Sequence, residues 1–308
     1  MSADEGVGAG ADADADAELL EEQLLSDAHM SWLPHMPMLT ETIGNPLVAE
    51  LPLRLSLTDH VRSALTFPLL VAGAPWLSRA PRGQGQPVMV VPGLTTGDPA
   101  TIPLRRFLRR LGYTPYGWGL GLNMGPTRRV LGSLSGLVDD LAVEHGEPVA
   151  LIGWSLGGNF ARMVAREVPA AVSQVITMGS PIRMTHPKQV TSMNLYMRLA
   201  RFHAPLDQQP PHDSKLPPLP VPSTALYSKC DGIVQWQATV GPVDATHENV
   251  ETRSSHTAFG HDPAALWVIA DRLAQPATNW QHFKPPWYAR ALYPTPYDPG
   301  VPAGRSSI

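Results

Sequence analysis

The chain has 308 residues, 43% hydrophobic and 16% charged, with a formal net charge of −4. That is enough apolar material for one large α/β domain or two small ones, and too little basic charge for a nucleic-acid binder. Its single cysteine, Cys230, excludes an internal disulfide, so nothing points to an oxidising compartment.

The charge is uneven. Residues 1–27 carry nine acids and neither Lys nor Arg, which leaves 18 acids against all 23 bases in the remainder. With the low-complexity run Gly8-Ala9-Gly10-Ala11-Asp12-Ala13-Asp14, this stretch is expected to be a disordered acidic tail. The first basic residue is Arg54, so the positive start of a secretion signal is missing, and a cytoplasmic location is the expectation. Residues 28–85 look irregular to helical and are expected to cover the start of the core. Within them, Leu51, Leu53, Leu55, Leu57, Val61, Leu65, Leu69 and Leu70 precede Trp76. The most apolar part, Ala64 to Leu77, is interrupted by Pro68 and Pro75 and falls short of the ~20 residues that span a bilayer. Such a segment can rest on a lipid surface or pack against the core. The polar residues Arg54, His60 and Arg62 supply little positive charge, so packing is the favoured reading and cosedimentation with anionic liposomes is not expected.

The regular pattern occupies residues 86–275. Gln86 to Val91 is a short apolar run bounded by Gly and Pro, which predicts a buried strand. Asp98, followed by Pro99, predicts a helix cap and a helix to Arg110. Thr114–Leu120 predicts a strand. Thr127–Glu144 predicts a helix with Val130, Leu134, Leu137, Val138 and Leu141 on one face. Val149–Trp154 and Val172–Met178 predict strands either side of a helix over Leu156–Val168. Thr224–Tyr227 and Val250–Thr252 predict two more strands, and Asp262-Pro263 caps a last helix to Leu273. Strands alternating with helices predict an α/β fold with a mostly parallel sheet covered on both faces. Residues 181–222 exceed the usual 2–6 residues of such a connection and are expected to form a cap insertion with a helix near Val190–His203. Residues 276–308 form a Pro- and aromatic-rich extension that either wraps the core or dangles.

Chemistry concentrates at Gly153-Trp154-Ser155-Leu156-Gly157. The pattern sits between a predicted strand and a predicted helix, where a sharp turn exposes a serine hydroxyl above a helix N-terminus. The following amide, that of Leu156, can then stabilise an oxyanion. A serine nucleophile needs a base and an acid, expected after later strands in the order acid then histidine. His256 directly follows the last predicted strand, whereas His261 sits at a helix start, where it is expected to pack or cap. Asp231, next to Gly232 and a few residues past a strand, is the favoured acid, with Asp244 its rival. The loop Pro92-Gly93-Leu94-Thr95 offers a second oxyanion donor, the Leu94 amide first and Thr95 second.

These motifs (Pro92-Gly93-Leu94, Gly-Trp-Ser155-Leu-Gly-Gly, Ser228-Lys-Cys-Asp231-Gly and Ser255-His256) resemble the α/β-hydrolase superfamily, and bacterial lipases and esterases within it, over residues 86–275. Such lipases usually carry His-Gly where this chain has Pro92-Gly93, so the bonds that support the loop must differ. The resemblance implies a Ser155–Asp231–His256 triad, no metal or organic cofactor, and a small-molecule or lipid ester substrate. No metal-ligand spacing is present. Met184, Met193 and Met197 in the insertion are expected to bind substrate, being apolar and adaptable. An acyltransferase or thioesterase would use the same residues, and a binding protein would keep the fold without the chemistry.

Overall fold

The computed structural model describes residues 51–275 and 279–297. The acidic tail 1–27, residues 28–50 and the end of the C-terminal extension lie outside the described residues. Helix α1 spans Leu53–Ala72 and runs into a single turn, α2, at Ala74–Leu77. The core follows as β1 (Pro87–Val91), α3 (Ile102–Arg110), β2 (Thr114–Gly117), α4 (Arg128–His145), β3 (Val149–Trp154), α5 (Leu156–Glu167) and β4 (Val172–Met178). Then come α6 (Met193–Arg198), β5 (Ser223–Ser228), β6 (His247–Thr252) and α7 (Pro263–Leu273).

All six strands are parallel, in the order β2-β1-β3-β4-β5-β6. Side chains alternate across the sheet, as a two-residue period requires. Val88, Val90, Ile152 and Ile176 join α3 and α7 in one apolar cluster. Met89, Val91, Leu151 and Val175 join α4 and α5 in the other. This is the two-sided α/β architecture expected from the sequence.

Three local expectations change. Asp98 does not cap a helix. Its carboxylate instead accepts from the Trp118 and Gly119 amides, at 2.9 and 3.2 Å, which draws the chain out of the sheet and ends β2 at Gly117. Strand β6 begins at His247, three residues before the expected start, and all six of its residues are buried. Its polar side chains are paired: Glu248 with Thr224 and Arg272, Asn249 with the Gly241 backbone, Glu251 with Tyr227. The helix expected over Val190–His203 shortens to Met193–Arg198, followed by a 3-10 turn. The described part of the C-terminal extension wraps the core. The Phe283 amide donates to Glu248, Tyr293 Oη donates to the Ala264 carbonyl, and the Tyr297 amide bonds Tyr227 Oη.

The largest departure is α1. Its buried residues are Asp59, Ser63 and Thr66, while Leu53, Leu57, Val61, Leu65 and Leu69 face solvent. These leucines therefore do not pack against the core. The helix is docked chiefly by its polar face, while Leu70 at its end and Trp76 and Leu77 just beyond pack on the core as expected.

Candidate active site

Ser155 closes β3 and precedes the first turn of α5, with φ +52° and ψ −125°. Such a backbone costs a non-glycine residue about 1–3 kcal/mol, so its surroundings must hold it. The Ser155 amide donates to the Met178 carbonyl at 2.8 Å, and the Gly158 amide donates back to Ser155 at 2.9 Å. The flanking glycines are required by close approach. A Cβ on Gly157 would overlap the Val91 carbonyl, and one on Gly153 would meet the Gly158 backbone at 2.5 Å or less. The motif is thus a strand and a helix pressed together around one exposed turn.

Asp231 and His256 lie after β5 and β6, at the same carboxyl edge. Asp231 Oδ1 accepts from the Ile233 and Val234 amides, both at 2.8 Å, which leaves Oδ2 aimed at His256 Nδ1, 2.7 Å away. Both side chains are buried. Trp154, the residue before Ser155, donates its indole N–H to the His256 carbonyl at 3.1 Å, so the serine turn and the histidine loop are tied together. Asp244, the rival acid, instead bonds His247 Nδ1 at 2.7 Å with an exposed carboxylate. His261 packs: its ring stacks on Phe67 at 4.0 Å and its Nε2 lies 3.0 Å from the Ser63 carbonyl.

Two residues missed in the sequence hold this edge. Asp59 of α1 is wholly buried and accepts five bonds: the His256 amide at 2.8 Å, the Thr257 amide at 3.0 Å, Thr257 Oγ1 at 2.8 Å, the Gly232 amide at 3.0 Å and, more loosely, the Arg62 guanidinium at 3.4 Å. Burial pushes its pKa up, but these donors and the nearby His256 outweigh that and hold it below the ordinary 3.8. Arg62, one turn on, reaches the Cys230 carbonyl at 2.7 Å. One helix face therefore pins both loops, the one with the acid and the one with the histidine. Asn123 is the other. It donates to the Pro92 carbonyl at 2.8 Å and accepts from the Gly125 amide, filling the support that Pro92-Gly93 in place of His-Gly leaves open.

Of the two candidate donors in the 93–95 loop, the Thr95 amide is taken by the Asn123 carbonyl at 2.7 Å. The Leu94 amide has no partner among the described residues. A Cβ on Gly93 would lie 3.3 Å from Ser155 Cβ, so this loop stands directly against the serine. Leu156, at the first position of α5, has no carbonyl within the helix to bond.

The segment 181–222 is fastened at several places, among them Asp213, which pairs with Arg162 and Arg166 of α5, and two that bear on its path. Val190 bridges Val234 and the Thr191 amide donates to Ile233, beside Asp231. His203 Nε2 bonds the Met124 carbonyl, and the Ala204 amide donates to Pro126, past β2. Since β1, β3 and β4 lie between β2 and β5, the segment crosses the sheet edge that bears Ser155. Met184 and Met193 pack with Val234 and Ala238, whereas Met197 is half-buried outside that cluster. Two surface cavities, under the C-terminal extension and beside Arg128 and Gln209, are lined by none of Ser155, Asp231 or His256.

A six-stranded parallel sheet with a strained serine between β3 and the following helix, and an Asp–His pair after later strands, defines the α/β-hydrolase fold. Among solved structures, the chain is similar to a pyrethroid hydrolase of Sphingobium faniae, with 15% identity over 63% of this chain and 99% of that one, TM-score 0.47. It is similar as well to a lipase of Bacillus licheniformis, with 16% identity over 62% and 93%, TM-score 0.46. Lipase B of Aspergillus fumigatus is a third, at 16% identity over 63% of this chain and 53% of that one, TM-score 0.46. No family model and no curated protein matches the sequence.

Proposed function

We propose that the chain is a serine hydrolase of carboxylic esters, an esterase or lipase, working through an acyl-enzyme on Ser155. The observation that carries this reading is the strained Ser155 turn tied through Trp154 to a histidine that is itself bonded to a buried aspartate. Ser155 Oγ attacks the acyl carbon while His256 Nε2 takes the hydroxyl proton. Asp231 holds the imidazolium through Nδ1–H. The Leu94 and Leu156 amides donate to the oxyanion. The proton then goes to the leaving alcohol. Water attacks the acyl-enzyme, gives its proton to His256, and releases the acid with Ser155 restored. The scheme uses no metal or organic cofactor. The acyl chain lies under segment 181–222, with Met184 and Met193 on the Asp231 side and Met197 farther along.

The test is turnover of p-nitrophenyl esters of graded chain length by wild type and Ser155→Ala, with and without an added alcohol. Wild type is expected to release p-nitrophenol and free acid, and Ser155→Ala to release neither above background. Acid formation replaced by a new ester would favour an acyltransferase. Folded wild type inert on every ester would favour a binding protein.

A pH profile follows from the site. Burial disfavours the imidazolium, yet Asp231, by charge and hydrogen bond, and Asp59 beyond it hold the His256 pKa above the ordinary 6.5. A raised pKa keeps the base protonated to higher pH, so kcat/KM is expected to rise along a limb centred above 6.5. Asp59→Asn removes one of the charges that raise it, and the limb is expected to move to lower pH. A limb that stays in place, measured on folded variant, contradicts that part of the electrostatics.

A further inference from the structure

Helix α1 presents the reverse of the polarity that burial dictates. An ordinary surface helix buries its apolar stripe and shows its polar one. Here the stripe at i, i+4 spacing (Leu53, Leu57, Val61, Leu65, Leu69) points outward, with Leu57 72% and Leu65 66% exposed. Val71 and half of the Phe67 side chain extend it. From Ala64 to Pro75 every exposed residue is apolar. Scattered surface leucines need no explanation, but a continuous row along twenty residues marks a contact surface.

Charge indicates what it contacts. Between residues 51 and 97 the only acid is Asp59, and it is consumed inside the protein. The bases Arg54 and Arg79 are exposed. Residues 51–97 therefore show solvent an apolar ridge with exposed cationic and no exposed anionic side chains of their own, the complement of an anionic lipid surface. The far end of α1 adds a second observation. Gly73 lies against Pro263, and the neighbouring Ala264 receives Tyr293 of the C-terminal extension. That extension carries Trp287 79% exposed beside a half-exposed Tyr288, ring types that settle at the headgroup level. No helix among the described residues is long and apolar enough to cross a membrane.

We infer that α1 is a monotopic docking element, which lays its leucine ridge into the outer few ångströms of an anionic bilayer while its polar face grips the loops of Asp231 and His256. The contact reverses most of the expectation drawn from the sequence: Leu70 and Trp76 pack on the core, but Leu53, Leu57, Val61, Leu65 and Leu69 are exposed. It places the carboxyl edge of the sheet next to the lipid. The docking itself does not depend on the chemistry at Ser155.

The experiment is flotation of the full chain with vesicles of equimolar phosphatidylcholine and phosphatidylglycerol. Wild type and Ser155→Ala are expected to float alike, and phosphatidylcholine vesicles to capture less. Leu57→Glu/Leu65→Glu is expected to lose partitioning by about a hundredfold or more. It should keep its melting temperature and its rate on p-nitrophenyl acetate in solution. Leu57→Gln/Leu65→Gln serves if the charged pair fails to fold. A wild type that stays with the aqueous phase overturns the inference, and light scattering then tells whether a second copy covers the ridge. Flotation unchanged in the double variant overturns it too. Failure of Ser155→Ala to change turnover would sink the hydrolase reading and leave flotation untouched.

Discussion

Asp59→Ala is expected to destabilise the fold by about 3–5 kcal/mol. The carboxylate satisfies three backbone amides and one hydroxyl, those of His256, Thr257 and Gly232, in a place where water is excluded. An unsatisfied buried donor costs ~1–3 kcal/mol, and alanine strands several at once. Part of the loss is recovered if water enters the space left by the carboxylate. The melting temperature should fall by roughly 10 °C for a domain of this size. Activity should fall in the folded protein as well, because the two loops that the carboxylate fastens carry Asp231 and His256. Asp59 touches neither substrate nor reacting atoms; it is a positioning residue. The shifted acid limb in Asp59→Asn separates that role from a purely structural one. A change below about 1 kcal/mol, by chemical denaturation, would contradict the network.

Ser155→Ala and His256→Ala are each expected to reduce kcat by about 10⁴-fold or more, and the double variant to lose less than tenfold beyond either. The reason is that the hydroxyl is a nucleophile only while the imidazole takes its proton, so removing either ends the same step. The short His256–Asp231 contact, 2.7 Å, and the Trp154 tie to the histidine loop are the geometric basis for treating them as a unit. Activity retained within tenfold in His256→Ala would remove His256 from the mechanism.

The strands were legible where apolar runs met breakers. Val149–Trp154 and Val172–Met178 begin and end as read, since both are central, send apolar side chains to both faces and are flanked by helices. Strand β6 was read short because His247, Glu248 and Asn249 are polar, and a sequence does not show that Arg272, Thr224 and Gly241 wait to pair with two of them. Asp98 was misread for a related reason: its partners, Trp118 and Gly119, lie twenty residues away, beyond any capping rule.

The serine turn, the acid and the histidine could be named because each follows a strand and the order is fixed by the topology. Asp59 could not. Periodicity in 53–72 reveals two faces but not which of them is inside, and the default assignment put the leucines there. One signal was available. Asp59 is the lone acid in residues 51–97 and lies on the same helical stripe as Ser63 and Thr66, while the leucines recur every four residues on the other side. Asn123 carried no signal beyond its place in a glycine-rich loop.

The central claim, that Ser155 is the nucleophile of a base-assisted acyl transfer, is tested most directly by covalent labelling. Full-length protein treated with a fluorophosphonate should gain one adduct, and peptide mass mapping should place it on Ser155. The reaction should be far slower in His256→Ala and absent in Ser155→Ala. An adduct on any other residue, or labelling of Ser155 at an unchanged rate without His256, would contradict the account.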